Sequence, residues 1–232
     1  MRKGNTMDDI KKYTVGLINT MGINEFSPAW KDDEEFLELC KKMYDKTLVS
    51  HHRLFFLYQF AKYANALSGN FAQIGIFKGG SAKMVSLVKD KSKKFYLFDT
   101  FEGLPEPDPV TDKHDEAHVK GEFAEPIENV KKLFEDDDSI ELVKGVFPET
   151  GKIIENEKFS FVYIDVDVYK SNYETLEFFY DRMVPGGVII FDDYEWKKTP
   201  GIKKSICDFL EKRGAKERPI ITTKYQCIII KL

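Results

Sequence analysis

Two short acidic clusters, Asp165-Val166-Asp167 and Asp192-Asp193, each close an apolar run of the chain. Four carboxylates gathered at neighbouring chain positions repel one another unless a proton or a cation sits among them, so a divalent-metal site is the first chemistry they suggest. An acid just after a strand also serves as a helix N-cap or a solvated loop residue. Two such pairs in succession favour the shared cation over that plainer use.

The runs that carry the acids, residues 159–164 and 187–191, are nearly continuous in Phe, Val, Ile and Tyr, as expected for strands covered on both faces. Between them Tyr173, Leu176, Phe179, Tyr180 and Met183 recur at helical spacing, and Pro185-Gly186-Gly187 breaks the pattern. A right-handed strand-helix-strand crossover makes the two strands parallel and opens their carboxyl ends on one sheet edge. Asp165, Asp167, Asp192 and Asp193 then converge there, some holding a metal while another stays free as a base.

Upstream, residues 71–76 read as a first strand, followed by the turn Phe77-Lys78-Gly79-Gly80-Ser81 and a helix through Val88. A second strand, 94–98, ends at Asp99, the place where Rossmann-type folds put an acid that grips ribose hydroxyls. The first turn reads Gly75-x-x-x-Gly79-Gly80, which is neither the dinucleotide fingerprint nor a P-loop. It suits a nucleoside with an amino-acid tail, such as S-adenosylmethionine, and equally serves plain helix-on-strand packing.

Residues 103–124 are rich in Pro and charge and long enough to form a lid over the strand ends. A helix over 127–134, a strand over 140–143, a helix through Ile202 to Leu210 and a closing antiparallel hairpin over 218–230 complete the pattern. Helical spacing from 32 to 67 precedes the first strand. Residues 1–67 are therefore expected to form a helical extension or cap, and 68–232 the cofactor-binding domain. Phe55, Phe56 and Phe60 can cover a pocket or pair with a second copy as a homodimer.

The chain has 232 residues, 42% of them hydrophobic, enough for one sizeable α/β domain. A net charge of −4, with basic and acidic residues interspersed, argues against nucleic acid or an anionic membrane as the main partner. The expected partner is a small molecule. Cys40, Cys207 and Cys227 lack metal-ligand spacing and read as reduced thiols, and no apolar stretch approaches a bilayer span, which together suggest a soluble cytoplasmic protein. The run from Glu135 to Asp138 reads as a solvated helix end.

Three ordered motifs carry a family resemblance: Asp99-Thr100-Phe101-Glu102-Gly103-Leu104-Pro105, Asp165-Val166-Asp167-Val168-Tyr169-Lys170-Ser171, and Pro185-Gly186-Gly187 followed by Asp192-Asp193-Tyr194. Together, over roughly residues 69–210, they resemble the macrocin O-methyltransferase family, metal-dependent sugar O-methyltransferases of antibiotic pathways. The resemblance implies a class I methyltransferase fold, a Rossmann-like, mostly parallel sheet with helices on both faces. It implies S-adenosylmethionine and magnesium as cofactors and a hydroxyl of a sugar or glycosylated small molecule as acceptor.

Carried over, the resemblance makes Asp165, Asp192 and Asp193 the magnesium acids and Asp167 the general base. It assigns Gln73, Gly75, Gly79, Ser81, Asp99, Thr100, Gly145 and Asp165 to the cofactor. Two departures stand out: Gln73 where the family usually has Glu, and Val166 where it usually has Gly. Gln73 can hydrogen-bond the cofactor's amino-acid end but brings no negative charge to its ammonium or sulfonium. Weaker cofactor affinity or a changed substrate is the expected consequence.

Two other functions fit parts of the pattern. Asp-x-Asp after a strand also holds the cation of glycosyltransferases that use nucleotide-sugars, although the second acid pair and the glycine turn suit that less well. A non-catalytic S-adenosylmethionine-binding protein is conceivable from Gln73, although an intact quartet of acids would be a liability without a role. His114 and His118, in the lid, either contact substrate, act as an alternative base or are simply solvated. His51 and His52 read as structural or surface residues, and Tyr169 and Tyr194 as pocket walls or packing.

Overall fold

The computed structural model describes residues 28–112 and 118–232. Seven strands form one sheet: β1 (Asn70–Ile74), β2 (Phe95–Asp99), β3 (Ile140–Lys144), β4 (Phe159–Ile164), β5 (Met183–Tyr194), β6 (Ile220–Thr223) and β7 (Tyr225–Ile230). Their order is β3-β2-β1-β4-β5-β7-β6. β1 to β5 pair parallel, and β7 runs antiparallel to both β5 and β6. The mostly parallel α/β sheet with its antiparallel hairpin is thus the expected fold.

Six α-helices accompany it among the described residues: α1 (Glu34–Met43), α2 (His51–Ala64), α3 (Gly80–Val88), α4 (Ile127–Lys131), α5 (Tyr169–Tyr180) and α6 (Pro200–Arg213). The strands bury both faces because alternate residues serve alternate layers. Phe71, Leu97, Phe161, Tyr163, Val188 and Ile190 join one core with α1, α2 and α3. Ala72, Ile74, Phe98, Val162, Ile164 and Ile189 join another with α5 and α6.

Local signals set several ends. The Asp33 carboxylate accepts a hydrogen bond from the Phe36 N–H at 2.9 Å and caps α1. Pro200 opens α6, and Gly214, in the left-handed conformation at φ 62°, returns its N–H to the last turn. Other boundaries differ from the sequence reading. The helical stretch from 32 to 67 is two helices broken by a loop that crosses α3, where the Lys46 carbonyl accepts from the Gly80 N–H at 2.9 Å. α4 is shorter than expected, and β5 runs through Pro185-Gly186-Gly187 on to Tyr194, because β4 takes up its start and β7 its end.

One buried ion cluster ties the chain's carboxyl end to this frame. Glu217 accepts from the Tyr180 hydroxyl at 2.6 Å, the Lys231 ammonium at 2.5 Å and the Leu232 N–H at 3.3 Å. Burial opposes its charge, but these donors outweigh it and hold Glu217 down at about 2. A depressed acid stabilises the fold above its unfolded pKa and loses that contribution as pH falls through the folded one. Glu217→Gln is expected to cost about 1.5–3 kcal/mol at pH 7. In denaturant titrations the deficit should shrink below pH 4 and vanish near pH 2; a deficit constant with pH would show that the charge plays no part.

Candidate active site

The sheet switches direction at β1. The chain runs from β1 through β2 to β3 on one side, then returns to place β4 on the other, which opens a crevice beyond the carboxyl ends of β1 and β4. A cavity of ≈ 950 Å³ lies there. Its floor needs Gly75: at φ 85°, a Cβ on this residue would lie 1.8 Å from the Asp165 carbonyl oxygen. Only glycine lets the ends of β1 and β4 come this close.

Of the residues assigned to a cofactor, Gly75, Ser81, Asp99, Thr100, Gly145 and Asp165 line this cavity, whereas Gln73 and Gly79 do not. Gln73 is fully buried beneath it and donates through Nε2 to the Gly75 carbonyl at 2.9 Å and to Ser81 Oγ at 3.0 Å. A carbonyl can only accept, so the Gly75 contact fixes which end of the amide faces the turn. Ser81 therefore accepts from Gln73 and has its own proton to donate elsewhere. Gln73 Oε1 has no hydrogen-bond partner among the described residues. Gly79 sits against Leu133 and Val130 as the left-handed N-cap of α3, a packing position.

Asp99 closes the turn from the β2 side. One carboxylate oxygen accepts from the Ile76 and Phe77 N–H groups at 2.6 and 3.1 Å, the other from Phe101 N–H at 2.7 Å. The Asp99 carbonyl also accepts from the Gly145 N–H at 2.9 Å. Asp99 thus locks three strand-end turns while keeping an edge on the cavity, where its remaining lone pairs can meet hydroxyl groups.

The acid clusters meet at the ends of β4 and β5. Asp165, Asp167 and Asp193 each offer a carboxylate oxygen, and these lie within 4.8 Å of one another. Asp167 and Asp193 have left-handed backbones, at φ 61° and 57°, a conformation that aspartate tolerates better than most residues. Asp192 lines the same cavity and is held by protein donors. Its oxygens accept from Arg53 Nη1 at 2.7 Å and from Gln226 Nε2 at 3.1 Å, and its side chain is only 1% exposed. The resemblance counted Asp192 with the metal acids, and the geometry instead puts Asp167 beside Asp165 and Asp193.

Burial raises all three carboxyls for which a shift is resolved. Asp165 is pushed well up by burial and then by Asp192 and Asp193, against the pull of Arg53 and of the Tyr163 hydroxyl, 3.1 Å away. Asp193 is pushed up to about 9 by burial, with Asp192 and Asp167 adding to it. Asp192 is raised by burial, while Arg53, Tyr163 and Gln226 pull it back. Burial works against the charge of Arg53 too, but Asp192 and its neighbours more than offset this and keep the guanidinium ionised. Hard oxygen donors whose ionisation is this costly match a divalent cation, which supplies the charge their burial removes.

The lid adds residues that the sequence reading weighed lightly. His118 is buried, with Nε2 3.4 Å from Asp167 Oδ1 and its ring against Phe123 and Trp196. His114 lies outside the described residues. The buried Asp112 reaches the start of α5, where its Oδ1 accepts from the Tyr169 N–H at 2.8 Å and caps the helix. His51 and His52 pack on Trp30, and Tyr169 and Tyr194 are not among the residues that line the cavity. Cys40 and Cys227 are buried free thiols and Cys207 an exposed one.

Arg53 escaped the sequence reading altogether, although a cation immediately ahead of Leu54-Phe55-Phe56-Leu57 was a visible sign. So did the loop of Lys46, Thr47, Leu48 and Val49, which lines the cavity from the α1 side. No helix of the described residues is long and apolar enough to cross a membrane.

The profile of the macrocin-O-methyltransferase (TylF) family matches residues 39–231. A relative from Streptomyces olivaceus, the 8-demethyl-8-(2,3-dimethoxy-alpha-L-rhamnosyl)-tetracenomycin-C 4'-O-methyltransferase, is 29% identical over 143 residues, 56% of this chain and 55% of that protein. The demethyldecarbamoylnovobiocin O-methyltransferase of Streptomyces niveus is 23% identical over 142 residues, 56% of this chain and 54% of its own length. The match thus spans about half the length of these relatives. Among solved structures, the O-methyltransferase NovP superposes with a TM-score of 0.65 at 19% identity, covering 80% of this chain and 82% of that one. Apo CalS11, described as a TDP-rhamnose 3'-O-methyltransferase, gives 0.57 at 16%, with coverage of 88% and 96%. At such identities the structures speak for the fold.

Proposed function

Because this chain belongs to the macrocin O-methyltransferase family, we propose that it is an S-adenosylmethionine-dependent O-methyltransferase, magnesium-dependent and acting on a sugar hydroxyl of a glycosylated small molecule or sugar nucleotide. The observation that carries this reading is the meeting of two half-sites in one cavity: the β1 turn with Asp99 on one side, and Asp165, Asp167 and Asp193 on the other. In this reading residues 68–232 hold the cofactor, and the helices before them cap the acceptor side.

When bound, S-adenosylmethionine supplies an electrophilic methyl group, and the divalent cation lowers the pKa of the acceptor hydroxyl. The protein's own residues do the rest. Asp99 would face the ribose hydroxyls, and the turn from Gly75 to Ser81 would receive the amino-acid tail. Asp165 and Asp193 would hold the cation. Asp167 would accept the proton that the acceptor hydroxyl gives up when the methyl group is transferred to its oxygen. His118, beside Asp167 Oδ1, steadies that carboxylate, and the lid walls off water.

The test is incubation with methyl-labelled S-adenosylmethionine and a panel of deoxysugar glycosides and sugar nucleotides, with magnesium or with EDTA. Label on a sugar oxygen, lost in EDTA and restored by magnesium, is the expected result. Transfer that EDTA leaves untouched would remove the metal from the account. A glycosyltransferase reading finds no support in the family match, and binding of cofactor with no transfer to any acceptor would favour a non-catalytic protein.

A further inference from the structure

From the contacts of Gln73 we infer that it sets the direction of the Ser81 hydroxyl proton, so that Ser81 recognises the carboxylate of the cofactor's amino-acid tail and not its ammonium. Gln73 is then a positioning residue, and Ser81 the residue that reads the tail. The inference rests on the proposed S-adenosylmethionine site and concerns a position where this chain departs from the usual Glu.

The Gln73 amide nitrogen has two protons, and both are placed. One goes to the Gly75 carbonyl at 2.9 Å and the other to Ser81 Oγ at 3.0 Å. A flipped amide would set Oε1 against the Gly75 carbonyl, oxygen against oxygen, so the orientation is fixed. Ser81 Oγ is thereby an acceptor on its Gln73 side, and this is its one hydrogen bond among the described residues. Ser81 is only 5% exposed and lines the cavity, which leaves the cavity as the place for its proton.

The backbone has the same polarity. Ser81 stands in the first turn of α3, an end that no side chain caps. There the Gly80 N–H is taken by the Lys46 carbonyl at 2.9 Å, and Lys83 N–H bonds back to the Gly79 carbonyl at 2.8 Å. The Ser81 N–H has no acceptor among the described residues, and an open helix N-terminus favours an anion. A hydroxyl proton, an N–H and the helix dipole all call for an acceptor, which the tail's carboxylate is and its ammonium is not. An ionised Glu at position 73 would reverse this. It is repelled by the Gly75 carbonyl, would take the Ser81 proton for itself, and would leave Ser81 only lone pairs to offer. Keeping the amide leaves Gln73 Oε1 buried without a partner among the described residues, a cost that the fixed Ser81 proton explains.

The experiment is calorimetric titration of the full chain with S-adenosylhomocysteine and with analogues lacking either the tail's carboxylate or its amino group. Ser81→Ala should weaken S-adenosylhomocysteine and the deaminated analogue each by about 10-fold or more, the worth of a hydrogen bond to a charged group. The decarboxylated analogue should change by less than about threefold, because its partner group is already gone. In a Gln73→Glu background, Ser81→Ala should no longer distinguish the ligands, since Ser81 there donates to residue 73. Equal losses for all three ligands on Ser81→Ala in the native background, or a loss confined to those that carry the amino group, would overturn the inference and leave the cofactor reading standing. If Gln73→Glu does not fold, the native-background comparison decides alone. Failure of the unsubstituted protein to bind S-adenosylhomocysteine would remove the cofactor reading and this inference together.

Discussion

Replacing Asp167 by asparagine is expected to slow methyl transfer by about 10²–10⁴-fold, the usual contribution of a general base, while S-adenosylhomocysteine binds as before. The substitution keeps the side chain's size and removes its ability to take a proton. Asp167 stands at the rim of the acid group with its side chain 12% exposed, where an acceptor hydroxyl can reach it. Its left-handed backbone, at φ 61°, turns the residue out of line with β4. None of the cofactor contacts proposed for Asp99 or the β1 turn passes through it. The loss should therefore fall on kcat and leave cofactor affinity unchanged. Full turnover by Asp167→Asn would end its assignment as base, and loss of Mn²⁺ binding in that variant would recast it as a ligand.

The metal-free protein is expected to lose stability as pH rises, and a divalent cation to restore it. Asp193, pushed up to about 9 by burial and by Asp192 and Asp167, titrates near 3.9 in the unfolded chain. A carboxyl raised in this way contributes its full stability below the unfolded pKa and loses it progressively as pH climbs through the folded one. The window is therefore about pH 4 to 9, and Asp165, raised in the same direction, adds to it. Asp193→Asn carries no charge to desolvate, so in EDTA its melting temperature should rise relative to the unsubstituted protein as pH goes from 5 to 8. Magnesium at about a hundredfold above its dissociation constant should stabilise the unsubstituted protein by about 2.7 kcal/mol, or about 5–10 °C. The effect should be smaller at pH 5, where protons compete. A gap between the two proteins in EDTA that stays constant with pH would contradict the buried-carboxyl account.

Much of this arrangement is written in local pattern. The runs at 159–164 and 187–191 are apolar enough to announce buried strands, and acids at their ends are anomalous enough to announce a site. Gly75, Asp99 and the closing hairpin follow from spacing in the same way. What was hidden depends on partners far along the chain. Arg53 meets Asp192 across 139 positions, and Gln226 reaches it from a strand that also decides how far β5 extends. His118 carries no sequence sign of burial, because Trp196 and Phe123 enclose it only after the lid folds over. The Asp192-Asp193 pair shows the limit most clearly. Arg53 Nη1 lies 2.7 Å from Asp192 and 3.3 Å from Asp193, and only the tertiary fold brings that guanidinium to the pair.

The central claim, one cavity built for S-adenosylmethionine and a divalent cation together, is tested most directly by calorimetric titration with S-adenosylhomocysteine, with and without magnesium. It should be run on the unsubstituted protein and on an Asp165→Ala, Asp193→Ala double variant. The account predicts saturable binding by the unsubstituted protein and a separate magnesium signal that the double variant lacks. No binding of S-adenosylhomocysteine by the unsubstituted protein, at concentrations well above those of ordinary cofactor affinity, would contradict it.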